Sequence, residues 1–188
     1  MRMMDTPQRH RGVAPLCPPG LVADRLRTLC DNALILLADT NQVVTIEVSV
    51  VTPCPHVLVD IVMEVAREFV VNALTHGMYM RAFGRISVQV LGTYEDTRLV
   101  VSDDGWGLNS NIKEGDGIGL ARDLAAAYDG RVWLRRTETT DATLVLRHPK
   151  GWATRRARAS AKLRSKFSLS ITRIMLAVLR LRDIIESI

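Results

Sequence analysis

Between Leu21 and about Asp39 the apolar residues Leu26, Leu29, Ala33, Leu36 and Leu37 recur at helical spacing, which predicts a helix. VVTIEVSVV (43–51) is β-branched and partly alternating, the pattern of a strand, and PCP (53–55) is a turn. A long, mostly apolar helix is predicted over roughly 57–76. RISVQVLG (85–92) and TRLVVSD (97–103) read as neighbouring strands joined by a short TYED turn. Beyond a glycine-rich connection, GLARDLAAAYDG reads as a helix closed by Gly130 as its C-terminal cap. RVWLRRTE (131–138) and ATLVLRHP (142–149) form a last pair of strands. Helices on one side of antiparallel hairpins predict an α/β fold, a two-layer α/β sandwich with a mixed, mainly antiparallel sheet.

Three segments follow from this pattern: a loose arm at 1–20, a domain at 21–150 and a helical tail at 151–188. Hydrophobic residues make up 47% and charged residues 24%, so the chain has the composition to fold. Aromatics are only 5%, which leaves Val, Leu, Ile and Ala to build the core. Cys17, Cys30 and Cys54 are odd in number and lack CxxC spacing, which argues against a disulfide framework or zinc site. With no apolar h-region and no run of about 18 apolar residues, a cytoplasmic location is expected. The net charge of +5 belongs to the tail. Residues 152–188 hold nine Lys/Arg against Asp183 and Glu186, so the remainder carries more acid than base.

The segment 57–77 carries Asp60, Glu64, Glu68, Asn72 and His76 at intervals of four. Each step of four advances about 40° around a helix, so the five lie along a slowly turning stripe. A solvated face explains such a stripe as readily as a ligand does. The chemistry of a site is nevertheless present. An amide oxygen at Asn72 suits Mg²⁺, and Glu68 one turn earlier suits proton removal near phosphates.

SDDGWGL (102–108) leaves a strand end in a Gly-x-Gly turn. Its Asp103 carboxylate can accept a hydrogen bond from the exocyclic amine of adenine; a plain hairpin or an acidic calcium-like loop also fits. GDGIGLA (115–121) sets glycines just ahead of a helix, where exposed N–H groups and the helix dipole favour an anion. A flexible linker fits that segment too. Its spacing matches neither the Rossmann fingerprint nor a P-loop.

Taken together, EFVVNALTHG (68–77), DDGWG (103–107) and GDGIGL (115–120) resemble the N, G1 and G2 boxes of the Bergerat ATP-binding fold. The upstream LRTLCDNALILL (26–37) and VVTIEVSV (43–50) resemble the lead-in of bacterial sensor histidine kinases, and the likeness covers roughly 21–149. It implies ATP and Mg²⁺ as cofactors. By it, Asn72 is the metal ligand, Glu68 the catalytic base and Asp103 the adenine acceptor. Gly105, Gly107, Gly117, Gly119 and Leu120 shape the pocket, residues 108–116 form a short lid, and Thr143 lies near the phosphates. It also implies phosphoryl transfer in two-component signalling, with a response regulator or phosphotransfer protein as phosphoacceptor.

The chain departs from that pattern in two places. None of His10, His56, His76 and His148 lies on a helical hairpin that would make it a phosphoacceptor. Thr75 stands where these kinases often carry Lys; Arg81 or Arg122 could supply the missing cation. Three readings stay open: a histidine-kinase-type domain acting on a separate protein, a partner-switching anti-sigma serine kinase, and a non-catalytic nucleotide-dependent regulator. In the tail, Ile171, Ile174, Met175, Val178, Leu181 and Ile185 share a face. That face suits docking on its own domain or a second copy as a homodimer, then an anionic membrane surface; nucleic acid fits less well.

Overall fold

The computed structural model describes residues 15–39, 41–93, 95–106 and 116–148. The expected tail at 151–188, most of the N-terminal arm and most of the lid lie outside them. Helix α1 (Pro19–Leu37) starts on a proline, whose missing N–H costs nothing in a first turn. It buries Val22, Leu26, Cys30 and Ala33, a stripe at steps of three and four. Helix α2 (His56–Asn72) is more deeply set, with ten of its residues buried, among them Val62, Val65, Ala66, Phe69 and Val70. It continues into a π-helical turn, Ala73–Gly77, which the 3.6-residue periodicity does not foretell. Helix α3 (Asp116–Ala126) completes the helical layer.

Two short strands, β1 (Leu16–Cys17) and β3 (Cys54–Pro55), pair antiparallel and tie the start of the chain to the start of α2. The main sheet has the order β2-β4-β5-β7-β6. Its strands are β2 (Val43–Val50), β4 (Phe83–Gly92), β5 (Asp96–Asp103), β6 (Arg131–Arg136) and β7 (Thr140–Arg147). β2 and β4 run parallel, joined through α2, and all other neighbours run antiparallel. The mixed sheet with helices matches the expected class.

Alternation along the strands puts Ile86, Val88, Val90, Leu99, Val101, Leu144 and Leu146 on the helix side, where they are buried against α1, α2 and α3. Each such side chain contributes about 1.5–3 kcal/mol of burial. The three cysteines are buried and free, and burial pushes the Cys30 and Cys54 thiols up to about 11, so they act as core residues. Among the described residues no helix is long and apolar enough to cross a membrane.

Strand register defines two poles. Ile86, Asp103 and Thr140 lie side by side at one end, with the C-terminus of α2. Val50, Gly92, Asp96 and Arg147 lie toward the other. There Pro15 accepts the His56 amide at 3.0 Å and His148 donates its amide to the Glu95 carbonyl at 2.7 Å. Both ends of the described domain therefore leave from the pole opposite Asp103.

Candidate functional site

Helix α2 brings its stripe into three environments. Asp60 is exposed and pairs with Arg25 at 3.3 Å, whereas Glu64 is half-buried, its Oε2 covered and without a hydrogen-bond partner among the described residues although 3.2 Å from Arg67. Glu68 is different: it is 2% exposed. Burial pushes its carboxyl up from the usual range; Arg67 pulls the other way and Glu64 adds to the rise. Asn72 is half-buried one turn later, about 6 Å along the axis, and His76 is exposed.

The helix then loosens. Met78 donates to the Ala73 carbonyl at 2.9 Å, which closes the π-turn, and the Thr75 hydroxyl bonds back to Val71 at 2.8 Å. This turn delivers Gly77 against the end of β5. A Cβ on Gly77 would lie 2.6 Å from Asp103 Oδ1, and one on Gly105 would lie 2.6 Å from the Gly77 Cα. The Trp106 amide donates to the Gly77 carbonyl at 3.0 Å. Only glycines permit so close an approach of the two backbones.

Asp103 is 6% exposed and accepts the Gly105 amide at 3.0 Å. Burial raises its pKa to about 6, opposed by that amide and by Arg81 and assisted by Asp104 and Asp141. Across the ladder Asp103 faces Thr140, whose buried Oγ1 has no hydrogen-bond partner among the described residues. An orphaned hydroxyl beside a buried carboxylate costs about 1–3 kcal/mol unless something else satisfies it.

Asp104 and Arg81 fasten the turn. Asp104 Oδ1 accepts the Arg85 amide at 2.8 Å. Arg81 donates to the Asp104 and Phe83 carbonyls and lies 5.8 Å over the Trp106 ring. Arg81 is thus engaged in holding the turn. Trp106 in turn donates its indole N–H to the Tyr79 carbonyl at 2.8 Å.

The second glycine segment meets α2 from the other side. Gly117, in the first turn of α3, packs on the Glu68 carboxylate so closely that a Cβ would collide with Oε2. The helix N-terminus read from the sequence as an anion site thus has a carboxylate against it. A phosphate arriving there requires Glu68 to be neutral or the turn to shift. Gly119 is exposed and Leu120 is buried in the core. Gly107 lies outside the described residues, as do 107–115 between the two turns.

Thr143 is not brought to this group. Thr140, Ala142 and Leu144 share the helix side with Asp103, so alternation turns Thr143 to the opposite face, between Val100 and Trp133. The contacts join Asp103, Gly77 and Gly105 in one group and Glu68 and Gly117 in another, with Asn72 one helical turn beyond Glu68. Beside Asp103 stand Gly77, Trp106 and Arg81, which the sequence reading holds in the N-box and G1-box segments and as a replacement cation, and Thr140, to which it assigns no part. Gly77 carried a signal, a glycine closing a long helix; Thr140 carried none.

Among the described residues no three His, Cys, Asp or Glu cluster into a metal cage. A single amide oxygen at Asn72 is a donor of the kind Mg²⁺ accepts when waters and phosphate oxygens complete its shell.

The fold is that of the ATPase catalytic domains of histidine kinases. The chain aligns over 66% of its length with the histidine kinase domain of the Erythrobacter litoralis EL346 blue-light activated histidine kinase, at TM-score 0.57 and 18% identity. It spans 60% of that chain. The Acinetobacter baumannii histidine kinase AdeS aligns at TM-score 0.55 and 14% identity, over 76% of this chain and 71% of its own. The nucleotide-free catalytic domain of the histidine kinase ThkA aligns at TM-score 0.53 and 13% identity, covering 71% and 95%. No protein-family model and no curated protein matches the sequence. At these identities the likeness is one of fold.

Proposed function

We propose that this chain binds Mg-ATP at the Asp103 pole and serves as the ATP-binding catalytic domain of a histidine-kinase-type signalling protein. Its γ-phosphate acceptor is then a residue on a separate protein, a response regulator or phosphotransfer partner. The observation that carries this reading is the Asp103 carboxylate. It is buried, held by the Gly105 amide and pressed on Gly77, so it presents a fixed acceptor at a strand end. An exocyclic amine is the complementary donor, and the orphan Thr140 hydroxyl beside it offers a second polar contact.

Asn72 would hold Mg²⁺ through its amide oxygen, and the ion, when bound, neutralises phosphate charge. Glu68 has the standing of a base. Burial raises its carboxyl, so once ionised it takes a proton readily, and its Oε2 receives the one the acceptor atom loses. The acceptor's bond to the γ-phosphorus forms as the bond to the bridging oxygen breaks, and ADP leaves.

Titration with a fluorescent adenine nucleotide, with ADP and GTP as competitors, tests binding. ADP should compete and GTP should not. N72D should lose the Mg²⁺-dependent part of the affinity. Transfer from γ-labelled ATP to candidate partners tests the chemistry: acid-labile label marks a histidine acceptor, and acid-stable label points to a serine kinase instead. Absence of binding would remove the proposal altogether.

A further inference from the structure

The face of the sheet turned away from the helices holds a second group. Val145 on β7 is paired with Arg98 on β5 and with Arg131 on β6, so two arginines flank it with their backbones about 10 Å apart. Arg147 follows two residues along on the same face. These three line a groove of about 190 Å³ together with Trp133, Val145, Gly130 and Asp129. Trp133 is 40% exposed there. None of the three arginines is held in a salt bridge among the described residues. Asp129 is the single acid in the groove, and it is itself engaged.

The sequence continues this charge. The chain leaves β7 at Arg147, beside the groove, and residues 149–166 hold seven Lys/Arg and no acid. The next stretch, FSLSITRIMLAVLRLRDIIESI, is largely apolar. A cationic face, a half-exposed indole, a basic run and then an apolar segment form the series that meets a charged surface with a hydrocarbon interior.

We propose that the open sheet face around Arg98, Arg131, Arg147 and Trp133 docks this protein on an anionic lipid surface. The groove supplies electrostatic contact from the folded domain, and the sequence that follows it adds charge and apolar area. Because the groove lies toward the pole opposite Asp103, docking leaves the Asp103 pole turned toward water. A nucleic-acid backbone would also meet the arginines, but Trp133 is the one aromatic of the groove and offers a single stacking platform. The apolar stretch has no role in such a complex. This inference stands apart from nucleotide binding.

Co-sedimentation of the full chain with vesicles tests it, using two parts phosphatidylcholine to one part phosphatidylserine, against phosphatidylcholine alone. Each arginine near such a surface is worth about fivefold in partitioning, so R98Q/R131Q/R147Q should lose on the order of a hundredfold. The single variants should each lose about fivefold, which keeps the test valid if the triple variant folds poorly. R25Q/R27Q, on the exposed side of α1, should change partitioning far less. A triple variant that partitions like the parent protein would overturn the proposal. So would one that keeps vesicle binding while losing affinity for a single-stranded oligonucleotide.

Discussion

Gly105 and Gly119 belong to two glycine-rich turns that read alike in the sequence. In the structure they answer to different constraints. Gly105 is wedged on the backbone of Gly77, and Gly77 in turn is pressed on Asp103. Gly119 has nothing within 4 Å of where a Cβ would stand. Between them, Gly117 meets only the end of the Glu68 side chain. The turn after β5 is therefore fixed by backbone against backbone, whereas the turn opening α3 is fixed by one side chain that can swing. The Asp103 pole thus has one rigid wall and one adjustable wall. The rigid wall carries the buried Asp103 carboxylate, and the adjustable wall carries the start of α3.

Substitutions separate the two walls. Gly105→Ala should cost about 3 kcal/mol or more, because neither backbone can retreat, and thermal unfolding with nucleotide titration should show both a lowered Tm and lost binding. Asp103 gives a pH signature of comparable size. Its folded pKa of about 6 stands above its ordinary 3.8, so the stability it confers is full below pH 4 and is lost as pH rises through 6. D103N lacks that loss. Its stability relative to the parent should therefore rise by roughly 2–3 kcal/mol between pH 4 and 7, read from denaturant midpoints. Gly117→Ala should move stability by about 1 kcal/mol or less, since Glu68 can rotate and alanine favours the helix. Gly119→Ala should stabilise α3 by about 0.5–1 kcal/mol. Equal costs at Gly105 and Gly119 would erase the contrast between the two turns.

Much of this arrangement was legible in the residues. The strands over 43–51, 85–92, 97–103, 131–138 and 142–149 were written in β-branched alternation, and the observed strands fall within a few residues of them. The helix over 57–76 was legible as a period, but its last turn opens into a π-turn, because Gly77 must reach Asp103. The stripe was legible as a line of polar positions, not as a gradient of burial. Asp60 meets an arginine at the surface, Glu64 is half-buried against Arg67, and Glu68 is covered by α3. Thr143 illustrates the sheet's parity: a threonine one residue off the helix-facing set lands on the other face, and Thr140 occupies the place beside Asp103. Arg98, Arg131 and Arg147 are far apart along the chain, and the order β5-β7-β6 alone joins them.

With Asp103 as the adenine-reading acceptor, replacing it by asparagine changes one oxygen to a donor at unchanged shape and removes the recognition. Titration of D103N with a fluorescent adenine nucleotide, alongside circular dichroism, isolates that change. Affinity should fall by about a hundredfold with an unaltered spectrum. An affinity equal to the parent's, on an intact fold, would contradict it.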